Sequence, residues 1–409
     1  MASNTGKERL KWMYGRSFVS SLSNGMISPF IYVYAARIGV SSGELGWMYS
    51  FNNFFTNSLQ VPWGRLSDRI GKRVIIIVAT SLLASLLWIP IALITEPRVF
   101  LMLVALQFLL ASVSVPAWNA LLRESTQAFF RSIAVSNINI ASLLGSLIAT
   151  IFSGWLIDSS EGKILIPSII ATILGLVGAV ILLKVKEKEI KKPRFGSLTS
   201  IFKMTDIPGL INENNDFKLF LKLSAIYGFS MSLAWPIFTI TTAIILNLSM
   251  TEVGALSVIQ TVATLLAQPL MGRLVIRIGK KPLIVFYYVA LTTVPLVYCF
   301  ASSFLHIAVL NTFLGLVVAA GNATILPYIL DILPENHVGE FTSIYNMVMG
   351  LAYFMGSAIG GNAVEIMSQY LGRVLSLQVG YLVSASGRLI IGLSFLKIRE
   401  AGAAKRMVK

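Results

Sequence analysis

GRLSDRIGKR, from Gly64 to Arg73, and GRLVIRIGKK, from Gly272 to Lys281, decide how this chain is organised. The second copy begins 208 residues after the first in a chain of 409, and seven of the ten positions are identical. A motif repeated at half the chain length reads as duplication of the whole architecture. Long apolar runs flank each copy.

A membrane-crossing helix needs about 20 mostly apolar residues. Twelve runs meet that requirement, at 14–36, 45–65, 74–94, 100–122, 133–157, 164–183, 218–242, 252–274, 282–302, 305–330, 341–364 and 375–396, numbered here as spans 1 to 12. The repeated loop joins spans 2 and 3 in one half and spans 8 and 9 in the other. Charged residues are only 12% of the chain, about half the roughly 25% of soluble domains. The runs are continuous and too long for barrel strands, which alternate with period two. The expectation is an all-α integral membrane protein, twelve transmembrane helices in two pseudo-symmetric six-helix bundles. Residues 1–183 form the first bundle, 184–216 a linker and 217–409 the second. The linker opens with KVKEKEIKKPR from Lys184. Its Phe195, Leu198, Ile201, Phe202 and Met204 either form a short amphipathic helix on the membrane surface or belong to a plain linker.

The formal net charge is +15, but the Lys and Arg residues fall in short runs between apolar stretches. Without a continuous basic face, no nucleic-acid partner is expected. Of the 33 Lys and Arg residues, 28 lie on the side of the N-terminus. Four, Arg37, Arg98, Lys163 and Arg373, lie on the other, and Arg388 falls inside span 12. This bias places both termini in the cytoplasm of a plasma-membrane, multi-pass protein. The N-terminal Lys7, Arg9 and Lys11 are too polar for a signal peptide and lead directly into span 1. The single cysteine, Cys299, excludes an internal disulfide.

The repeated loop has its own chemistry. Gly64 and Gly71 permit a close helix approach and a tight turn. Asp68 can pair with the arginines or sit at a helix N-terminus. Arg65, Arg69, Lys72 and Arg73 can grip anionic headgroups on the inner face of the bilayer or acidic loops, or serve topology alone. In the second copy Gly272, Arg273, Arg277 and Gly279 recur, while Ile276 replaces Asp68.

The first copy matches the G-x-L-x-D-R-x-G-R/K-R/K pattern of the major facilitator superfamily. With twelve spans, a six-plus-six division and the in-register echo, the whole chain resembles that family. The resemblance implies a secondary transporter that moves a small organic solute by alternating access, with spans 1, 4, 7 and 10 lining a central cavity. Two departures argue against the family's proton-driven drug antiporters. Span 4 carries Gln107 where those proteins usually have arginine, and span 5 reads GSLIATIFSGW from Gly145, without their glycine-proline pattern.

Buried ionisable groups are the usual mark of ion coupling in membranes. All 18 carboxylates fall in loops, tails or the last turn of a span, and Glu124 and Asp331, at the inner ends of spans 4 and 10, come nearest the interior. His306 and His337 are likewise terminal. No cluster suits a metal, a cofactor or an enzymatic centre, so none is expected. Uncharged polar residues instead form helical stripes: Ser17, Ser21, Asn24 and Ser28 in span 1; Gln107, Ser114 and Trp118 in span 4; Ser224, Trp235, Thr239 and Thr242 in span 7; Asn311 and Asn322 in span 10. The resemblance implies that these faces meet the substrate, with Asn24, Ser28, Gln107, Ser114, Trp118, Trp235, Thr239, Asn311 and Asn322 as the binding set. The competing reading is interhelical hydrogen bonding. Uncharged stripes favour a neutral or weakly polar solute such as a sugar, a nucleoside or an amphiphile.

Asn53, Asn57 and Gln60 in span 2, and Thr261, Thr264 and Gln268 in span 8, mark a helix interface or gate. Gly356 and Gly360 read as tight packing. Pro29, Pro62, Pro116, Pro236, Pro269, Pro295 and Pro327 are places where spans can bend. Arg388 reads as a structural or headgroup-binding residue, with an anion site as the alternative. Asn247-Leu-Ser249 fits a glycosylation acceptor. In the family's pseudo-twofold arrangement, Asp331, Glu335 and Glu340 face the Arg65–Arg73 loop when the inner gate closes, a charged latch. A monomer is expected. A membrane-embedded enzyme lacks its residue cluster, and a channel lacks a ring of charges. A non-transporting sensor or scaffold on the same fold remains the second reading.

Overall fold

The computed structural model describes residues 4–126, 131–185, 187, 214–333 and 338–400. Phe195, Leu198, Ile201, Phe202 and Met204 of the linker, and Glu335 and His337, lie outside the described residues. Among those described the chain is helical, without a strand.

Span 1 comprises α1 (Asn4–Ile27) and α2 (Ile31–Arg37); span 2, α3 (Ser42–Asn53), a wider π turn (Phe54–Ser58) and α4 (Gln60–Ile70); span 3, α5 (Arg73–Leu86) and α6 (Trp88–Leu93). Spans 4, 5 and 6 are α7 (Pro97–Ser125), α8 (Arg131–Ser159) and α9 (Leu165–Leu182). Span 7 comprises α10 (Asn215–Ser232) and α11 (Trp235–Ile240), and span 8 is α12 (Met250–Ile278). Span 9 comprises α13 (Lys281–Ala290) and α14 (Thr293–Phe300). Spans 10 to 12 are α15 (Phe304–Ile332), α16 (Val338–Leu371) and α17 (Arg373–Ser394).

Proline explains where spans divide. Its ring removes one N–H and crowds the carbonyl four residues earlier. Pro62, Pro90, Pro236 and Pro295 therefore act at Ser58, Leu86, Ser232 and Leu291, where spans 2, 3, 7 and 9 break. Pro29 lies in the break of span 1, whereas helices continue through Pro116, Pro269 and Pro327.

Ten of the spans are long and apolar enough to cross a membrane by themselves. The exceptions are spans 1 and 2, because α1 opens with Glu8, Arg9 and Lys11 and span 2 carries Asn52, Asn53, Asn57 and Gln60. Large apolar side chains such as Leu266, 77% exposed, and Ile276, 73% exposed, point outward. Only a lipid solvent makes so much exposed apolar surface stable. This is an integral, multi-pass membrane protein.

The described chain forms two compact units. The first contains Met1–Val40, Leu59–Lys203 and Ser249–Ala255; the second contains Ser41–Ser58, Met204–Leu248 and Leu256–Lys409. Thus α3, early in the sequence, belongs with the second unit, and the first turns of α12 belong with the first. The first unit's core joins Met13, Ile77, Ala117, Leu121 and Leu182. The second unit's core is richer in aromatics, with Phe217, Phe220, Tyr227, Tyr328, Phe341 and Phe395. There, a Cβ on Gly356 or Gly360 would meet the carbonyl of Phe229 or Leu233 at 2.4 or 2.1 Å, so glycine lets α16 press against the break of span 7.

Candidate functional site

The first motif copy turns on one residue. Helix α4 ends at Gly71, whose φ of 68° is left-handed and whose N–H reaches the Ser67 carbonyl at 3.0 Å, a glycine C-cap. The turn aims Arg73 inward, leaving its side chain 9% exposed. Its Nε donates to Glu124 Oε1 at 2.7 Å, Nη2 to Asp68 Oδ1 at 2.8 Å and Nη1 to Ser67 Oγ at 3.1 Å. One guanidinium thus ties the loop to the end of span 4 through two carboxylates, the strongest class of hydrogen bond. Asn119, Ala120 and Arg123 complete an open pocket of roughly 550 Å³ around them. Glu187, following span 6, accepts the Val74 N–H at the start of α5.

The second copy builds a related arrangement from other residues. Gly279 has φ 92°. Lys280 pairs with Asp331 and donates to the Pro327 carbonyl at 3.1 Å. The Lys280 and Lys281 N–H groups reach the two oxygens of Glu400 at 2.7 and 2.9 Å. Asp331 is therefore engaged within its own unit, by span 9. Ile276, Gly272, Arg273, Arg277 and Glu340 are exposed. The close approach expected at Gly64 is loose: a Cβ there would meet Pro116 at an ordinary 3.8 Å, and one on Gly272 would meet nothing. Of these four glycines, Gly71 is constrained by backbone conformation, and Gly279 by conformation and by the Glu400 carboxylate, 2.8 Å from where a Cβ would sit.

The candidate solute contacts divide by unit. In the first, Asn24 and Ser28 are exposed beside the break of span 1. Gln107 is buried, and the Ser114 hydroxyl bonds back to the Ala111 carbonyl at 2.8 Å. One face of the Trp118 ring lies under the Arg16 guanidinium, 4.3 Å from the ring centre, a cation–π contact. Arg16, counted with the flanking charges in sequence, is thus engaged with span 4.

In the second unit the half-exposed Trp235 ring sits 5.9 Å from Tyr49 and 4.9 Å from Tyr353, centre to centre. The Tyr49 hydroxyl shares a hydrogen bond of 2.9 Å with Thr239 Oγ1. Tyr49 comes from span 2, outside the stripes considered, and no sequence signal singled it out. Asn311 is buried with Nδ2 bonded to the Ile307 carbonyl at 2.8 Å, and Asn322 is exposed. Ser224 is fully buried against the Tyr288 hydroxyl, so that part of the span 7 stripe packs the core.

At the ends of the spans remote from the motif loops, two carboxylates meet helix N-termini. Glu365 Oε2 accepts the Ser41 hydroxyl at 2.7 Å and the Gly43 N–H at 2.8 Å, at the start of α3. Asp158 accepts the N–H groups of Met250 and Thr251 at 2.8 and 2.7 Å and the Thr251 hydroxyl at 2.6 Å, at the start of α12. Both helices open with a reciprocal Ser-x-x-Glu capping box, Ser41 with Glu44 and Ser249 with Glu252. Ser249 in the glycosylation-like triplet therefore serves as a cap. These boxes are legible in sequence, and they stand 208 residues apart like the motif loops.

Arg388 is 2% exposed and does not reach a headgroup. Its Nε bonds Ser384 Oγ at 3.1 Å, while Nη1 and Nη2 reach the carbonyls of Leu291 and Met231, each at 2.9 Å. Both carbonyls belong to the proline breaks of spans 9 and 7. Among the described residues, no group of three or more His, Cys, Asp or Glu could hold a metal ion.

The sequence pattern described as "Major Facilitator Superfamily" matches residues 15–217 and 220–406. An uncharacterised MFS-type transporter of Methanocaldococcus jannaschii is 23% identical over 90% of this chain and 92% of its own length. Multidrug resistance protein MdtG of Escherichia coli (strain 55989 / EAEC) is 24% identical over 84% of this chain and 86% of its own. Among solved structures, nucleoside transporter NupG superposes with a TM-score of 0.76 at 13% identity, covering 96% of this chain and all of that one. A bacterial homologue of the iron transporter ferroportin gives 0.71 at 16% identity, covering 95% and 98%.

Proposed function

The chain belongs to the major facilitator superfamily, and on that premise we propose that it moves a small, uncharged organic solute across the plasma membrane by alternating access. The distribution of Lys and Arg, 28 against 4, supports cytoplasmic termini and motif loops on the inner side. The remote ends carrying Asp158 and Glu365 are then outer. Anionic headgroups lie against the exposed Arg273 and Arg277 of the inner face, and the monomer is the working unit.

The observation that carries the solute class is the half-exposed Tyr49–Trp235–Tyr353 cluster with Thr239 beside it. Aromatic faces without an adjacent carboxylate favour a solute with a flat or apolar face and hydroxyl-type edges. Nucleosides and aromatic amphiphiles have that chemistry; NupG is named a nucleoside transporter and MdtG a multidrug resistance protein. Within the second unit, Asn311 and Asn322 are the further residues proposed for solute contact; within the first, Asn24, Ser28, Gln107, Ser114 and Trp118 are proposed for the same role. Arg73 with Asp68 and Glu124, and Lys280 with Asp331, act as inner gate elements, with Glu335 and Glu340 in the adjoining acidic loop.

A thermal-shift screen of the purified protein against sugars, nucleosides and aromatic amphiphiles tests the class, because a ligand of the folded state raises its apparent stability. The expected hit is aromatic and uncharged, with its shift lost in Trp235→Ala. Binding without flux in vesicles would instead favour the sensor reading.

A further inference from the structure

The outer ends hold a duplicated device. In the second unit, α3 crosses α16 so closely that a Cβ on Gly46 would lie 2.5 Å from the Ser357 carbonyl, and one on Gly361 would lie 2.3 Å from the Ser42 carbonyl. In the first unit, the start of α12 crosses α8 in the same way: a Cβ on Gly154 would lie 2.8 Å from the Met250 carbonyl, and one on Gly254 would lie 3.1 Å from that of Thr150. Gly46 and Gly254 are 208 residues apart, as are Ser41 and Ser249, and Glu44 and Glu252. Gly154 and Gly361 are 207 apart, as are Asp158 and Glu365. Two crossings therefore share one design: facing glycines, a capping box on one helix, and a carboxylate one turn beyond the glycine on the other.

We propose that Asp158 and Glu365 are positioning residues of the transport cycle, a matched pair of catches that hold spans 8 and 2 against spans 5 and 11 at the outer side until the solute site must open outward. Each capping box serves only the Ser N–H and the N–H of Glu44 or Glu252, so the N–H groups of the first two helical residues stay open. The carboxylate of the crossing helix takes those open groups, Gly43 in one crossing and Met250 with Thr251 in the other, and so ties the helix start to another span. It bonds N–H groups that already carry the positive end of the helix dipole, so the contact gains from charge and hydrogen bonding together. The bonds of both catches depend on helix crossings set by glycine, so moving either helix away breaks them as a unit. A contact made in only one state is what shifts an equilibrium. Having two equivalent catches makes opening depend on releasing both, which sharpens the switch. The inference rests on the alternating-access reading.

The test uses the full-length protein in nanodiscs, with Cys299→Ser as background and spin labels at Lys163 and Tyr370, both exposed. Distance distributions are compared for the background, Asp158→Ala, Glu365→Ala and the double variant, with Asp158→Glu and Glu365→Asp as conservative versions. The expected result is two distance populations in the background. The longer should rise about tenfold relative to the shorter in each Ala variant, the scale of one lost charge-assisted contact. It should rise further in the double variant and return toward the background ratio in the conservative ones. Turnover should change more than the solute concentration for half-maximal rate. If the Ala variants lower the melting temperature with the distance ratio unchanged, the carboxylates only stabilise helix ends and the proposal is overturned. A background with one distance population and no flux would overturn the alternating-access reading itself, before the catches are reached.

Discussion

Arg388 donates Nη1 to the carbonyl of Leu291 at 2.9 Å, and Leu291 stands four residues before Pro295, whose missing N–H leaves that carbonyl without its usual helical partner. The same guanidinium reaches Met231 beside the break made by Pro236. A guanidinium is thus held inside the second unit by one carbonyl that Pro295 leaves open and another at the end of α10, with Phe238 5.7 Å beneath it.

Replacing this group should therefore affect stability. Arg388→Met should lower unfolding stability by roughly 2–4 kcal/mol, the scale of two buried carbonyls losing charged donors. Arg388→Lys should recover part of it, because one ammonium cannot reach both carbonyls in the same planar geometry. Thermal unfolding in detergent reads both. An anion that raises the melting temperature of the unsubstituted protein but not that of Arg388→Met would contradict a purely structural role.

At the first motif, Arg73→Ala should destabilise by roughly 1–3 kcal/mol, since it leaves Asp68 and Glu124 facing each other without their shared cation. The figure is held down because the Asp68 side chain is 48% exposed and its pairing is screened by water. Asp68→Asn should cost less in stability than Arg73→Ala yet still slow transport. Melting temperature and flux, measured side by side, separate the two effects. Equal losses in both quantities for both variants would reduce the cluster to packing.

The organisation of the fold was legible in the sequence because duplication leaves identical residues in register, as at Gly64 and Gly272. Proline positions gave some of the bends, but not the choice between a break at Pro295 and a continuous helix at Pro327, which depends on what packs against the freed carbonyl. Less of the candidate site could be read. Helical spacing groups Ser224 with Trp235 and Thr239, yet Ser224 points at Tyr288 in the core, because a stripe on one helix does not say what faces it. Tyr49 was invisible for the same reason: its partners, Trp235 and Thr239, are almost 190 residues away. The Ser41–Glu44 and Ser249–Glu252 boxes could have been found by applying the repeat offset beyond the motif loops.

In the aromatic cluster, Trp235→Ala should weaken solute affinity about tenfold or more, the loss expected for one stacked aromatic contact with its buried area. Tyr49→Phe and Thr239→Val should each weaken it severalfold, the worth of one hydrogen bond. Isothermal titration with the solute from the thermal screen would measure all three. Unchanged affinities with lowered melting temperatures would identify the cluster as core.

Four of the described carboxylates are engaged by cations or helix starts, Glu124 by Arg73, Asp331 by Lys280, Asp158 and Glu365 by helix N-termini. With these groups already paired, solute flux should be driven by its own gradient and change little when a pH gradient is imposed. Strong proton-driven accumulation that persists in a Glu124→Gln, Asp331→Asn double variant would contradict this.

Carriage of a small uncharged solute across the membrane is measured by flux of a radiolabelled solute into sealed vesicles containing the purified protein. The expected result is saturable, protein-dependent entry of an aromatic, uncharged solute, competed by unlabelled solute and strongly reduced by Trp235→Ala. Tight binding of that solute, with entry no faster than into protein-free vesicles, would contradict it.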